Sequence, residues 1–262
     1  MNILDKIIAH KKIEVAQRKA QTSIAQLEQG KFFAHETLSL KKFLLDETKT
    51  GIIAEYKRKS PSKGIINNHS TVEEVTTAYA KFGASGISVL TDEEFFGGNL
   101  NDLLAATINE VPLLRKDFMI DEYQIIEAKA YGADVILLIA ACLSKQEIKQ
   151  MAAIAKNLGL EVLLEIHNNE ELEHICDEVD LVGINNRNLK TFEVSIDTSL
   201  QLIKHLPADK LPITESGISN VETIQTLRNA GFKGFLIGET FMKEQNPGLA
   251  FQNFTNELKT KL

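Results

Sequence analysis

Cysteine is scarce in this sequence: Cys142 and Cys176 are the only two. Neither stands in a Cys-x-x-Cys or comparable ligand spacing, which excludes a disulfide framework or a zinc ribbon as the source of stability. Long apolar runs are missing as well. No stretch approaches the roughly 18 apolar residues of a membrane-crossing helix. The opening segment, residues 1–20, mixes apolar residues with both charge signs and lacks the continuous apolar core of a secretory leader. A cytoplasmic location is therefore expected. Basic excess is absent too, since the net charge is −7. A nucleic-acid partner would call for a basic face, whereas an anionic small substrate needs only local positive charge. No Gly-x-Gly-x-x-Gly marks a dinucleotide-binding turn, and no low-complexity linker divides the chain. His167 and His174 have no Cys or Asp at ligand spacing, so no metal is expected and both read as solvated or structural residues.

What is present is a repeat. The chain has 262 residues, 44% hydrophobic and 25% charged, enough for one large core. From about residue 50 onward, short apolar runs alternate with helical patterns. The runs are Ile52–Ala54, Ile87–Leu90, Val111–Leu114, Val135–Ile139, Val162–Leu164, Leu181–Ile184, Leu211–Thr214 and Phe235–Ile237. Continuous apolar runs indicate strands buried on both faces, as a parallel sheet requires. The gaps fit a crossover helix with two loops, as in 121–131 and 144–158. Gly83, Gly132, Gly159 and Gly231 fall where such helices would end. Eight βα units predict an α/β fold, a (β/α)8 TIM barrel. Residues 1–48 lie outside the repeat and read as one or two extra helices, with Ile3, Leu4, Ile7, Ile8 and Val15 near helical spacing. The expectation is a single domain over 1–262, with 1–48 as an N-terminal helical extension packed on the barrel.

Chemistry in such barrels sits at the C-terminal strand ends, and polar residues gather there. Strand one ends in Glu55 and Lys57, strand three in Arg115, Lys116 and Asp117, strand five in Glu165 and His167. Strand six ends in Asn185, Asn186 and Arg187, strand seven in Glu215 and Ser216, strand eight in Gly238 and Glu239. Side chains alternate faces along a strand, and alternate barrel strands share interior layers. Ile53, Leu114, Leu163 and Ile213 should therefore form an apolar layer, with Glu55, Lys116, Glu165 and Glu215 directly above it. Inward charge of this density is costly unless it serves a site. Two glycine-containing loops, Ser216-Gly217 after strand seven and Gly238-Glu239 after strand eight, suit phosphate binding through backbone N–H groups. Lys57 is a candidate counter-ion.

Several long motifs then carry a family resemblance. They are residues 52–64 (IIAEYKRKSPSKG), 90–98 (LTDEEFFGG), 114–118 (LRKDF), 121–124 (DEYQ), 183–189 (GINNRNL) and 214–218 (TESGI). Together these resemble the indole-3-glycerol-phosphate synthase family over nearly the whole chain. Gly97, where a polar amide is common, and Thr214, where serine is common, depart from the family pattern without removing a reactive group. The resemblance implies a carboxy-lyase of tryptophan biosynthesis that needs no cofactor and uses no metal. Its substrate would be 1-(2-carboxyphenylamino)-1-deoxyribulose 5-phosphate. It assigns Lys116 as general acid and Glu165 as general base, with Glu55 and Asn185 orienting hydroxyls and the lysine. Lys57 and Arg187 would divide between carboxylate and phosphate, in an order that the residues leave open. Ser60 would join them, Phe96 and Phe118 would flank the aromatic ring, and Glu215 would complete the polar layer. Ser216, Gly217, Gly238 and Glu239 would hold the phosphate. The expected partner is this small molecule alone, with no nucleic acid or membrane and no stable protein partner for a monomeric chain.

Two rival readings fit the residues less well. Phosphoribosylanthranilate isomerases carry a cysteine after strand one and an aspartate at strand six, where this chain has Glu55/Lys57 and Asn185. A non-catalytic phosphosugar-binding barrel would keep the strand seven and eight loops but would have no need for both Lys116 and Glu165.

Overall fold

A computed structural model describes residues 3–189 and 191–261. Met1, Asn2, Lys190 and Leu262, which the single-domain expectation includes, lie outside the described residues. The apolar runs form β1 (Ile52–Tyr56), β2 (Gly86–Leu90), β3 (Leu113–Lys116), β4 (Val135–Ile139), β5 (Glu161–Ile166), β6 (Leu181–Asn185), β7 (Leu211–Glu215) and β8 (Gly234–Ile237). Each pairs in parallel with its sequence neighbours, and β8 closes on β1. This is a (β/α)8 barrel, as the repeat predicts. Every residue of β1, β2, β4 and β8 is buried, which is why those runs are apolar without alternation. The four glycines expected at helix ends, Gly83, Gly132, Gly159 and Gly231, all adopt positive φ.

Two boundaries differ from the sequence pattern. The third strand begins at Leu113, not Val111; Pro112 has no N–H to offer the ladder, though its carbonyl accepts from Ile87 N at 2.9 Å. The crossover from β5 to β6 contains a short 3-10 helix, Glu170–His174, in place of a full α-helix. That turn brings Glu171 back to His167, just past the end of β5.

The barrel interior holds Ile53, Leu114, Leu163 and Ile213 in one apolar cluster, as their shared parity requires. The floor is closed from outside the repeat. Before β1 lie α1 (Ile3–Gln21), α2 (Ile24–Glu28) and α3 (Leu40–Leu45). Leu40 and Leu44 of α3 join the interior cluster. Gly86 at the start of β2 leaves the space: a Cβ there would lie 2.6 Å from Leu40 Cδ1. Each fully buried Leu of this kind stabilises the fold by about 1.5–3 kcal/mol relative to an exposed one.

Helix α1 packs at the opposite end. Its buried stripe is Ile7, Lys11 and Val15, so a lysine sits mid-stripe where an apolar residue is the norm. Lys11 Nζ lies 2.8 Å from Asp92, 2.9 Å from Asp117 and 2.9 Å from Glu14. Asp92 caps the short helix that carries Phe96, accepting from Phe95 N at 2.7 Å and Phe96 N at 3.2 Å. Asp117 also accepts from Thr91 Oγ1 at 2.7 Å and from Phe118 N at 2.8 Å. It pairs with the fully buried Arg115 at 3.1 Å, and Arg115 reaches Glu127 at 2.8 Å. The extension is thus bolted by charge to the two loops that follow β2 and β3.

Burial opposes the charge on both partners but loses. Asp92, Asp117 and Glu14 hold the Lys11 ammonium above its usual range, and Lys11 with Arg115 holds Asp117 below the usual carboxylate range. A carboxyl depressed in this way supports the fold at every pH above its unfolded value, and that support is lost as acid lowers the pH below it. Removing one partner strands the others. Lys11→Met is expected to lower unfolding free energy by about 3–5 kcal/mol in urea titration, and a loss near zero would show that the cluster does not hold the extension.

Candidate active site

The residues singled out from the sequence meet in one cleft at the C-terminal rim of the barrel, with a volume of about 680 Å³. Glu55, Lys57, Ser60, Phe96, Lys116, Phe118 and Glu165 line it. So do Asn185, Arg187, Glu215, Ser216, Gly217, Gly238 and Glu239. None of them points away toward the helices.

At its centre stands the ammonium of Lys116. The end of β3 aims it across the barrel to Glu165 Oε2 at 2.9 Å and Glu215 Oε2 at 2.6 Å. These are the ends of β5 and β7, so alternate strands do share the layer. Burial would by itself push Lys116 down; Glu165, Glu215 and Glu55 outweigh it and hold the ammonium above the usual lysine range. The two carboxylates diverge. Burial disfavours ionised Glu165, but Lys116 and His167 overcome it and depress its carboxyl. Glu215 is raised, because burial leads and Glu165 repels it, with Lys116 compensating only in part.

Lys57 and Glu55 form a second pair, 2.6 Å apart. Asn185 Nδ2 donates to Glu165 Oε1 at 3.1 Å, while its Oδ1 accepts from Ser216 Oγ at 2.9 Å and Arg187 N at 3.0 Å. The amide thereby ties the end of β6 to both the carboxylate and the loop after β7. The rings of Phe96 and Phe118 face each other at 6.1 Å between centroids, tilted by 38°. That leaves a hydrophobic wall beside the charged centre.

Backbone shape around the cleft is also specific. Ser216 has φ 67° and Gly217 φ 76°, so a serine occupies the left-handed region, a cost normally kept at functional positions. Gly238 is required by contact: a Cβ there would come 2.4 Å from Glu55 Oε1. Its place in the cleft serves the carboxylate of β1 as much as any ligand.

Further residues in and around the cleft go beyond the sequence pattern. Ile3, Leu4 and Ile7 of α1 reach the cleft, so the extension forms part of its wall; helical spacing marked those positions as apolar but gave no hint of their partner. His167, read as solvated or structural, is half-buried, its Nε2 3.2 Å from Glu165 Oε1 and its Nδ1 3.1 Å from Glu171 Oε2. It shares strand parity with Glu165, which was the available signal. Cys142 and Cys176 are both free thiols, and burial pushes Cys142 up to about 12, which leaves it an inert neighbour. Among the described residues, no group of three or more His, Cys, Asp or Glu could hold a metal ion. No described helix is long and apolar enough to cross a membrane.

Comparison with known proteins supplies the context for this geometry. A family model described as indole-3-glycerol phosphate synthase matches residues 4–254. An indole-3-glycerol phosphate synthase of Bacteroides thetaiotaomicron is 49% identical over 259 residues, covering 98% of this chain and 99% of that protein. One from a Polaromonas species is 43% identical over 254 residues, covering 95% and 96%. Among solved structures, 3-hexulose-6-phosphate synthase from Salmonella typhimurium aligns with a TM-score of 0.62 at 12% identity, covering 80% of this chain and 99% of that one. The tryptophan synthase alpha subunit of Legionella pneumophila aligns with a TM-score of 0.61 at 12% identity, covering 84% and 97%. At that identity these two speak for the barrel fold alone. The family match, spanning nearly the whole chain and both sequence relatives, decides the matter: this chain belongs to the indole-3-glycerol phosphate synthase family.

Proposed function

We propose that the cleft performs the family's ring closure with Lys116 as general acid and Glu165 as general base. The single observation that carries this is the half-buried Lys116 ammonium held 2.9 Å from Glu165 at the strand-end rim. The substrate is 1-(2-carboxyphenylamino)-1-deoxyribulose 5-phosphate; the products are indole-3-glycerol phosphate, CO2 and water. The aromatic carbon that bears the carboxylate attacks the ribulose carbonyl, and Lys116 delivers a proton to the carbonyl oxygen as the new C–C bond forms. An ammonium kept charged by neighbouring carboxylates suits that task. The ring carbon is then tetrahedral, with an iminium beside it. When CO2 leaves, its bonding electrons return to the ring system. Dehydration follows: Glu165 accepts the proton from the ribulose carbon next to the nitrogen, the ring double bond forms, and an ammonium of the cleft gives the departing hydroxyl the proton with which it leaves as water. This chain's residues supply position and proton transfer, and the substrate itself supplies the electron sink.

The remaining residues have supporting roles in this reading. Glu55 and Asn185 orient the substrate hydroxyls and the lysine. Lys57 and Arg187 offset the substrate's negative groups, and Ser60, three residues after Lys57, joins them in the cleft lining. Phe96 and Phe118 flank the anthranilate ring, and Glu215 shares the ammonium. Ser216, Gly217, Gly238 and Glu239 present backbone N–H groups to the phosphate, Glu239 through its main chain. A non-catalytic phosphosugar barrel would have no use for an acid and a base in direct contact, which argues for chemistry. The reading takes the chain as one domain acting as a monomer in the cytoplasm, with 1–48 as its extension; in support, residues from this one chain line all sides of the cleft.

The test is to mix purified protein with the substrate and follow the rise of indole fluorescence, with chelator present and no cofactor added. Turnover is expected, and its absence would reject the assignment. Lys116→Met is expected to lower kcat by at least about a hundredfold, the scale of a lost general acid; near-normal kcat would refute that role. For Glu165→Gln, a binding titration should find substrate affinity retained while product formation stalls. Gly238→Ala should push Glu55 aside and reduce kcat/KM by about a hundredfold, the scale of an ångström-sized misplacement. Steady-state kinetics at wild-type level would clear Glu55 of any need for that space.

A further inference from the structure

The two carboxylates that share Lys116 are not equally supplied with partners. Glu165 accepts from Lys116 Nζ at 2.9 Å on one oxygen and from Asn185 Nδ2 at 3.1 Å on the other, and His167 Nε2 stands 3.2 Å from that second oxygen as an ion-pair contact outside hydrogen-bond geometry. Glu215 has Lys116 on one oxygen, at 2.6 Å, and its other oxygen is buried without a hydrogen-bond partner. That second oxygen rests against Gly183, where a Cβ would lie 2.6 Å away. Two carboxylates competing for one ammonium tend to share a proton, as like charges at close range resist joint ionisation. A base must be the ionised one of the pair.

His167 is the group placed to decide which one that is. It stands one layer above Glu165 on the same face of the β5 extension. Its Nδ1 faces Glu171 Oε2 at 3.1 Å, and Glu171 is fixed in turn: it accepts from His167 N at 2.7 Å and Asn168 Nδ2 at 2.9 Å. The imidazole therefore lies between two carboxylates, with its side chain 9% exposed. Burial works against its charge, but Glu165 and Glu171 outweigh burial and push it up to about 10. The other titratable groups around it do not replace this cation. Cys142, from the turn after β4, is a neutral thiol. Asp5 of α1, Arg187 and Glu193 line, with His167, a polar cavity of about 940 Å³ that adjoins the cleft through Asn185 and Arg187.

We propose that His167 is a positioning residue for the reaction: as an imidazolium bridging Glu165 and Glu171, it keeps Glu165 as the ionised carboxylate of the pair on Lys116 and leaves the shared proton to Glu215. This rests on the reading of Glu165 as general base. It adds a residue outside the cleft lining, which acts only through another side chain and touches no substrate.

The test compares His167→Gln and Glu171→Gln with the parent protein, measuring kcat and KM across the acidic and neutral range. The amide in His167→Gln is neutral and of similar reach. Losing an opposite charge at this distance raises a carboxyl by about one unit or more, so the acidic limb of kcat should move to higher pH by that amount. KM should change little, because His167 does not line the cleft. Glu171→Gln leaves the imidazole in place but weakens its charge, and should move the same limb in the same direction by less. A role confined to packing would lower the melting temperature and leave the limb where it was. An unmoved limb in folded His167→Gln overturns the proposal. If that variant fails to fold, an unmoved limb in Glu171→Gln does so instead. Full activity in Glu165→Gln is a distinguishable failure: it removes the base itself, and this proposal falls with it.

Discussion

One ammonium among carboxylates organises this molecule. Lys116 bridges the ends of β5 and β7 from the end of β3, and no arrangement other than a closed barrel brings those three ends face to face. An unpaired charge at that depth would be very costly, and the paired one is stable only while its partners are held in place. The apolar layer of Ile53, Leu114, Leu163 and Ile213 beneath it supplies that hold. Close-packed side chains fix the strands, and the strands fix the spacing of the charges above them.

Much of this was legible because a barrel strand has period two. Parity alone placed Glu55, Lys116, Glu165 and Glu215 in one layer, and the same rule placed Ile53 and its counterparts below. Lys11 escaped because the sequence signal it gives is weak. A lysine among Ile7 and Val15 on one helix face usually marks an edge of the stripe, and its partners Asp92 and Asp117 are far away along the chain. His167 was visible as a strand-end residue, yet its significance depends on Glu171, which only the 3-10 turn returns to it. The roles of Gly86 and Gly238 could not be read at all, since both answer to a distant side chain and not to a local turn.

The extension reaches both ends of the barrel, and its two contacts differ in kind. At the floor, Leu40 and Leu44 add to a continuous apolar core. At the rim, Lys11 engages the acids that shape the loops bearing Phe96 and Phe118, while Ile3, Leu4 and Ile7 stand in the cleft wall. The floor contact is non-directional and tolerates small shifts. The rim contact is directional, so any movement of α1 is transmitted to the aromatic wall. Stability and cleft geometry are therefore coupled through a segment that lies outside the repeat.

The plug formed by Leu40 and Leu44 also governs traffic. With the barrel packed from its middle downward and stoppered below, no passage runs through the cylinder from end to end. Whatever enters the cleft leaves by the doorway it came through. That doorway is the rim where the charges of Glu55, Lys57, Lys116 and Arg187 gather.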